Sequence, residues 1–409
     1  VFMKGPLTGI RILDLTHGIA GPTATMILGD LGAEIIKIEP PGGVSTRVVS
    51  GPHHEGESCN TLAYNRSKKD IVLDLNTEPS RQALYDLVKT SDALISNFRP
   101  GVMARLGADY ETLKKLNSSL VYVTISGYGP SGPHAHRAAT DMTASAHGGI
   151  VSLIGETWRA PQKAQPAIID STTGVYAAVG ILAALRDKER LGIGAKIDLC
   201  LLDVTVSLLG HIVPHYTLGG GVQRSLGSRQ GNQVPFGVYD TRDGYIALGP
   251  CWPQIAHALG KDELTQDVRF STPEARVQYQ EELNSILGDC LLQKSTEDWL
   301  GILYAEDIQV APVNTVDKVV GDAQVNHNHM ILTLPHPLGG EIKVAGNPIK
   351  ISGYEDNYLP PPALGQNTEE VLSKLLGYDA EKIRLVTETR SGKIPSQKSR
   401  FRGAWKEVK

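Results

Sequence analysis

The chain has 409 residues, 41% hydrophobic and 21% charged, with 40 Lys plus Arg against 44 Asp plus Glu for a formal net charge of −4. That length can bury a large core and predicts two domains or one elaborate one. The slight acidic balance argues against a general nucleic-acid or membrane-surface binder.

Elements follow in chain order. Ile10–Leu15 reads as a strand, Gly21–Leu31 as a helix and Glu34–Glu39 as a second strand. Asp70–Leu75, Ala93–Asn97 and Leu120–Ser126 continue the strands, with helices over Glu78–Lys89 and Val102–Leu116 between them. Strand–helix–strand alternation at this spacing predicts an α/β chain with a parallel, doubly wound sheet. A long helix from about Ser171 to Arg190 follows, rich in small residues, and Gly192 and Gly194 stop it before a strand over Lys196–Leu202. Thr217–Gln233 is the clearest break in composition. Beyond it, Gly237–Gly249 reads as a hairpin turning at Asp243-Gly244. Helical segments run on to about Gly301, a last helix covers Thr368–Leu376, and the basic end is expected to be loosely ordered.

Four dispersed cysteines without a C-x-x-C pair predict a reducing compartment and no disulfide framework. The twelve histidines include His53-His54, His134-x-His136 and His327-x-His329, none with a Cys or carboxylate at zinc-ligand spacing, so no metal site is expected. No apolar run reads as long enough to cross a bilayer, and no secretory signal is seen. The expected location is the cytoplasm, or the mitochondrial matrix if Val-Phe-Met is the trimmed start of a eukaryotic precursor rather than an addition before a native Met3.

Glu39 ends the second strand where a ribose-binding acid would sit in a dinucleotide fold, but the G-x-G-x-x-G needed beside a pyrophosphate is absent. Asp170 precedes Ser171-Thr172-Thr173-Gly174. Read locally it is a helix N-cap. The same place also suits a nucleophile, because a helix N-terminus keeps a carboxylate ionised. Asn65-Arg66-Ser67-Lys68-Lys69 reads as a solvated loop or as a phosphate clamp. Asn97-Phe98-Arg99-Pro100-Gly101 and Ser126-Gly127-Tyr128-Gly129 end strands at the edge where open α/β sheets bind ligands.

Taken together, PLTGIRILDLTHGIAGPTATMILGDLGAEIIKIEPP, YNRSKKDIVLDL, ISNFRPGVMARLG, TISGYGPSGP, DSTTGVYAAVGILAALRDKERLGIGAKIDL, VYDTRDGYIALG and PPPALGQNT resemble the class III CoA-transferase family, in the family's order from about Pro6 to Leu376. Succinyl-CoA-dependent dicarboxylate transferases look most similar. The resemblance implies a large Rossmann-like domain from 1–215 and 330–409, a small α+β domain from 226–325, linkers at 216–225 and 326–329, and an interlocked homodimer, with a heteromer of related subunits as the variant. It implies coenzyme A thioesters and carboxylic acids as substrates, with no tightly bound cofactor. Asp170 falls on the family's nucleophile. His17, Gly18, Ile19 and Ala20 would line the thioester region, Lys68 and Lys69 would approach the phosphates, and Asn97, Phe98 and Arg105 would hold the adenosine diphosphate.

The implied chemistry runs through an aspartyl anhydride and an aspartyl-CoA thioester, with oxyanions held by N–H groups at the helix start or in a glycine loop. The same superfamily contains α-methylacyl-CoA racemases, but here Thr140 stands where a racemase has its His and Trp252 where it has its Glu. Ile19 replaces the Gln of formyl-type enzymes, and Gly227-Ser228-Arg229-Gln230-Gly231-Asn232 stands in for their glycine lid. For the far carboxylate of a dicarboxylic acid, Arg47, His53, His136 and Arg229 are the candidates. A racemase or isomerase and a non-catalytic acyl-CoA-binding protein are the competing readings.

Overall fold

Short β-branched runs pair into a six-stranded parallel sheet: β1 (Arg11–Leu15), β2 (Glu34–Glu39), β3 (Lys68–Val72), β4 (Ala93–Ser96), β5 (Val121–Ser126) and β6 (Lys196–Cys200), in the order 3-2-1-4-5-6. Ile12, Leu13, Ile35, Ile36 and Leu94 are fully or almost fully buried, as strands covered on both faces require. In this computed structural model the described residues are 5–49, 51–157, 159–354, 356 and 358–388. The expectations for the Val-Phe-Met start and the loosely ordered basic tail lie outside them. The helices that matter for the site are α1 (Ala20–Asp30), α2 (Cys59–Tyr64), α3 (Glu78–Lys89), α4 (Val102–Arg105), α5 (Tyr110–Leu116), α6 (Asp141–His147), α7 (Ile168–Leu191) and α8 (Leu201–Leu208).

The chain divides into a larger unit drawn from 1–148, 165–208 and 329–409 and a smaller one drawn from 149–164 and 209–328. The smaller unit has a three-stranded antiparallel sheet, β7 (Gly237–Asp240), β8 (Tyr245–Leu248) and β9 (Val310–Pro312), with β8 central. It packs around Tyr239, Ile246, Phe270, Leu287 and Trp299. Among the described residues no two cysteines are joined in a disulfide.

Five expectations change, the first being that the last helix among the described residues is Ala380–Thr387 rather than one over Thr368–Leu376. The helix read over Val102–Leu116 is two, because Gly107 turns at φ 69° and the Asp109 carboxylate caps α5 through the Thr112 N–H at 3.1 Å. β3 starts at Lys68 rather than Asp70, since tertiary ion pairs draw charged residues into the sheet. One helix, α7, is long and apolar enough to span a bilayer by length and composition, contrary to the sequence reading. Its small residues serve close packing on α1 instead. Finally, α7 starts three residues before Ser171, which puts Asp170 inside its first turn rather than at its cap.

Lys68 shows why the basic segment, a turn at 65–67 leading into β3, is not solvated. Its ammonium lies 3.1 Å from Asp14 and from the Pro22 carbonyl, with the side chain fully buried. Asp14 also accepts from the Thr16 N–H at 2.8 Å and the Thr25 hydroxyl at 2.6 Å, so this pair shapes the turn from β1 into α1. Arg66 is likewise buried, on Asp30 at 2.8 Å. Burial by itself would raise the Asp14 carboxyl, but Lys68 and Lys37, helped by Thr16 and Thr25, hold it well below the carboxylate range. A depressed folded pKa contributes stability that is present above the unfolded value of about 4 and lost as pH falls below it. Lys68→Met strands a buried carboxylate, so urea unfolding is expected to show a loss of about 3–5 kcal/mol at pH 7. The acid-side loss below pH ~4 should shrink in that variant. An unchanged urea midpoint at pH 7 would refute the buried pair as a support of the β1–α1 turn.

Candidate active site

The strand order reverses between β1 and β4, and at such a point the loops leaving neighbouring strands splay apart. A cavity of about 480 Å³ opens there. Its wall is built from His17–Ala20 after β1, Asn97–Pro100 after β4, Ser126 and Gly127 after β5, Arg137–Thr140, and Asp170.

Close helix packing delivers Asp170 to this place. A Cβ on Gly174 would lie 2.6 Å from the Ala20 carbonyl oxygen and 2.6 Å from Thr23 Cβ, so the start of α1 rests on α7 one turn beyond Asp170. Gly21 is tight in the same way, where a Cβ would meet the Thr16 side chain at 2.3 Å. Asn97 clamps the β1–α1 turn from the far side: its amide donates to the His17 carbonyl at 2.6 Å and its oxygen accepts the His17 N–H at 3.0 Å. The His17 and Phe98 rings lie 5.7 Å apart. Burial, then the nearby Lys37 charge, pushes the His17 imidazole below its ordinary value, against the charged form.

The first turn of α7 is capped from a distance. Asp141 is buried and its Oδ2 accepts the N–H groups of Ile169 at 2.9 Å and Asp170 at 3.2 Å. The N–H of Ile168 goes to the Pro166 carbonyl and that of Ser171 to the Ala167 carbonyl. By contrast, the N–H groups of Gly18, Ile19 and Ala20 meet no protein acceptor among the described residues, and all three residues line the cavity.

The other residues singled out by sequence lie elsewhere. Lys68 is interior, and Lys69 sits between Glu34 and Glu370 at 3.1 and 3.2 Å. Arg105 ends α4 and is exposed, away from this wall. Arg47 is buried among Glu39, Glu57 and Asp70, at 2.9, 2.6 and 2.9 Å. His53 contacts the Val48 carbonyl at 3.1 Å, and His136 is exposed beside the wall without forming it. In the smaller unit, Arg229 donates to the Val238 carbonyl at 2.6 Å and stacks on Tyr239. Thr140 caps α6 in a reciprocal pair with Thr143, and Trp252 packs against Phe270.

Sequence reading missed Asp141, Tyr64 and Arg137, whereas Arg99 lay in a strand-end loop it had marked for ligands. Burial first, then the Asp170 charge, raises the Tyr64 hydroxyl. A T-D-x-T capping pattern marked Asp141 as a helix start, but nothing local marked its second job at α7.

A family model described as CoA-transferase family III matches residues 7–368. Succinyl-CoA:glutarate CoA-transferase of Mus musculus is 36% identical over 380 residues, covering 91% of this chain and 87% of the relative. Succinate–glutarate CoA-transferase of Agrobacterium fabrum is 34% identical over 384 residues, covering 91% and 96%. Among solved structures, a CAIB/BAIF family protein from Brucella suis matches with a TM-score of 0.83 at 33% identity, covering 91% of this chain and 100% of that one.

Proposed function

The chain belongs to CoA-transferase family III, and from that premise we propose that it carries coenzyme A from succinyl-CoA to a second dicarboxylic acid, with Asp170 as the nucleophile. The observation that carries this reading is a carboxylate in the wall of a cavity at the sheet reversal, facing a helix start whose N–H groups are unspent.

The chemistry balances with carboxylates and one thiolate. Asp170 attacks the thioester carbonyl, the C–S bond breaks, and a mixed anhydride forms with release of CoA thiolate. The thiolate attacks the aspartyl carbonyl, giving aspartyl-CoA and the free donor acid, which leaves with one aspartate oxygen. The acceptor carboxylate then attacks the aspartyl thioester and expels the thiolate. That thiolate attacks the acyl carbonyl of the new anhydride, releasing acyl-CoA and restoring Asp170. Each tetrahedral intermediate carries an oxyanion. Because Asp141 already holds the N–H groups of Ile169 and Asp170, the donors in this scheme are Gly18, Ile19 and Ala20 at the start of α1. Asp141 fixes the backbone of the nucleophile.

The racemase alternative lacks its proton carriers, since Thr140 is spent on capping α6 and Trp252 on packing. The proposal extends to a Rossmann-like nucleotide-binding role for the larger unit, a reducing intracellular setting, and an interlocked homodimer or a heteromer with a related chain. Val175, Tyr176 and Val179 on α7 and Val206 on α8 are 42–57% exposed, an apolar surface that a second copy would cover.

Incubation with succinyl-CoA and a panel of free acids, followed by mass spectrometry, is expected to show a new thioester with a dicarboxylate. No new thioester with any acid overturns the proposal, and solvent deuterium at the α-carbon would favour an isomerase.

A further inference from the structure

We propose that Arg137 is the specificity-determining residue that holds the far carboxylate of the dicarboxylic acid. This inference rests on the transferase reading above and adds a recognition group that sequence reasoning had sought in Arg47, His53, His136 and Arg229.

A dianionic acid that must bring one carboxylate to Asp170 meets like charge at the reacting end, and a cation within the same cavity offsets it. The wall offers His17, Arg99 and Arg137. Burial and the Lys37 charge disfavour the charged form of His17. Arg99 also lines a neighbouring cavity of about 200 Å³, together with Phe98, Tyr110 and Tyr122, so it stands between the two spaces. Arg137 lines the cavity that contains Asp170 and not that neighbouring one. Among the described residues its guanidinium has no carboxylate or carbonyl partner, whereas Arg47 has three carboxylates and Arg229 a carbonyl.

Its placement is also set from the nucleophile's side. Residues 137–140 form a continuous stretch of wall, and the next residue, Asp141, accepts the backbone N–H of Asp170. Ala138 and Ala139 between them keep side-chain bulk out of the space. A guanidinium presents two parallel donors to a carboxylate, which fits an acid's distal end better than a point charge does.

The test compares wild type, Arg137→Ala and Arg137→Gln with succinyl-CoA as donor and glutarate as acceptor. Binding of free coenzyme A is measured in parallel by calorimetry. The expected result is a rise in glutarate KM of roughly 10- to 100-fold in both variants, because a charge-assisted pair is lost. Affinity for free coenzyme A should stay within about twofold, since CoA lacks the distal carboxylate. An unchanged glutarate KM, or a parallel loss of coenzyme A affinity, overturns the inference. The two readings fail separately. A wild type that makes no new thioester denies the transferase, whereas an active wild type whose glutarate KM ignores Arg137 denies only this role.

Discussion

Asp170→Asn should lower the rate of CoA transfer by roughly 1,000-fold or more while leaving affinity for free coenzyme A within about threefold. Asparagine keeps the shape of the side chain, and the backbone N–H at this position still reaches Asp141, which accepts it at 3.2 Å in the native protein. What goes is the anionic oxygen that, in the proposed chemistry, attacks the thioester. The cavity wall from His17 to Ala20 and the clamp of Asn97 on His17 do not depend on that oxygen, so ligand binding should persist. Transfer retained near the native rate would remove Asp170 from the chemistry and leave it a structural residue of the first turn. Collapse of both transfer and binding would point to a misfolded wall.

Gly174→Val should cost about 1–3 kcal/mol in urea unfolding and lower transfer by roughly 10- to 100-fold, because the added atoms have no room. A Cβ alone would lie 2.6 Å from the Ala20 carbonyl oxygen, and backbone there has little freedom to retreat. α1 and α7 must part, which separates the unspent N–H groups of Gly18–Ala20 from Asp170. Gly180→Ala is the matched control on the same helix. Its new methyl would meet Ile197 at 3.6 Å, an ordinary contact, and alanine favours helix over glycine by up to about 1 kcal/mol. The control should therefore hold or gain stability with native transfer. If both substitutions behave alike, the close crossing at Gly174 is not what positions the nucleophile.

Legibility in the sequence followed how local each determinant is. β2 and α3 came out with the bounds expected, since an apolar run and a 3.6-residue period are properties of their own residues. The strand ends around the site were equally readable, because small and polar residues interrupt apolar runs there. Interactions between distant segments were not. Lys68 reads as part of a basic loop until Asp14, fifty-four positions earlier, is seen to neutralise it in the core. Asp170 reads as a cap because the true cap, Asp141, arrives from another helix twenty-nine positions away. The acceptor candidates shared this weakness. Arg47 looked available only while its three carboxylates were out of view, and nothing local to Arg137 tells that the cavity gathers it beside Asp170.

Transfer through an Asp170 anhydride would also be an oxygen exchange. In the proposed chemistry each cycle sends one Asp170 oxygen out with the donor acid and returns one from the acceptor. Turnover with succinyl-CoA and an acceptor acid labelled with oxygen-18 in its carboxylates should therefore place the label in the peptide that contains Asp170, and Asp170→Asn should abolish it. Sustained transfer by the native protein with no label in that peptide would exclude an anhydride at Asp170.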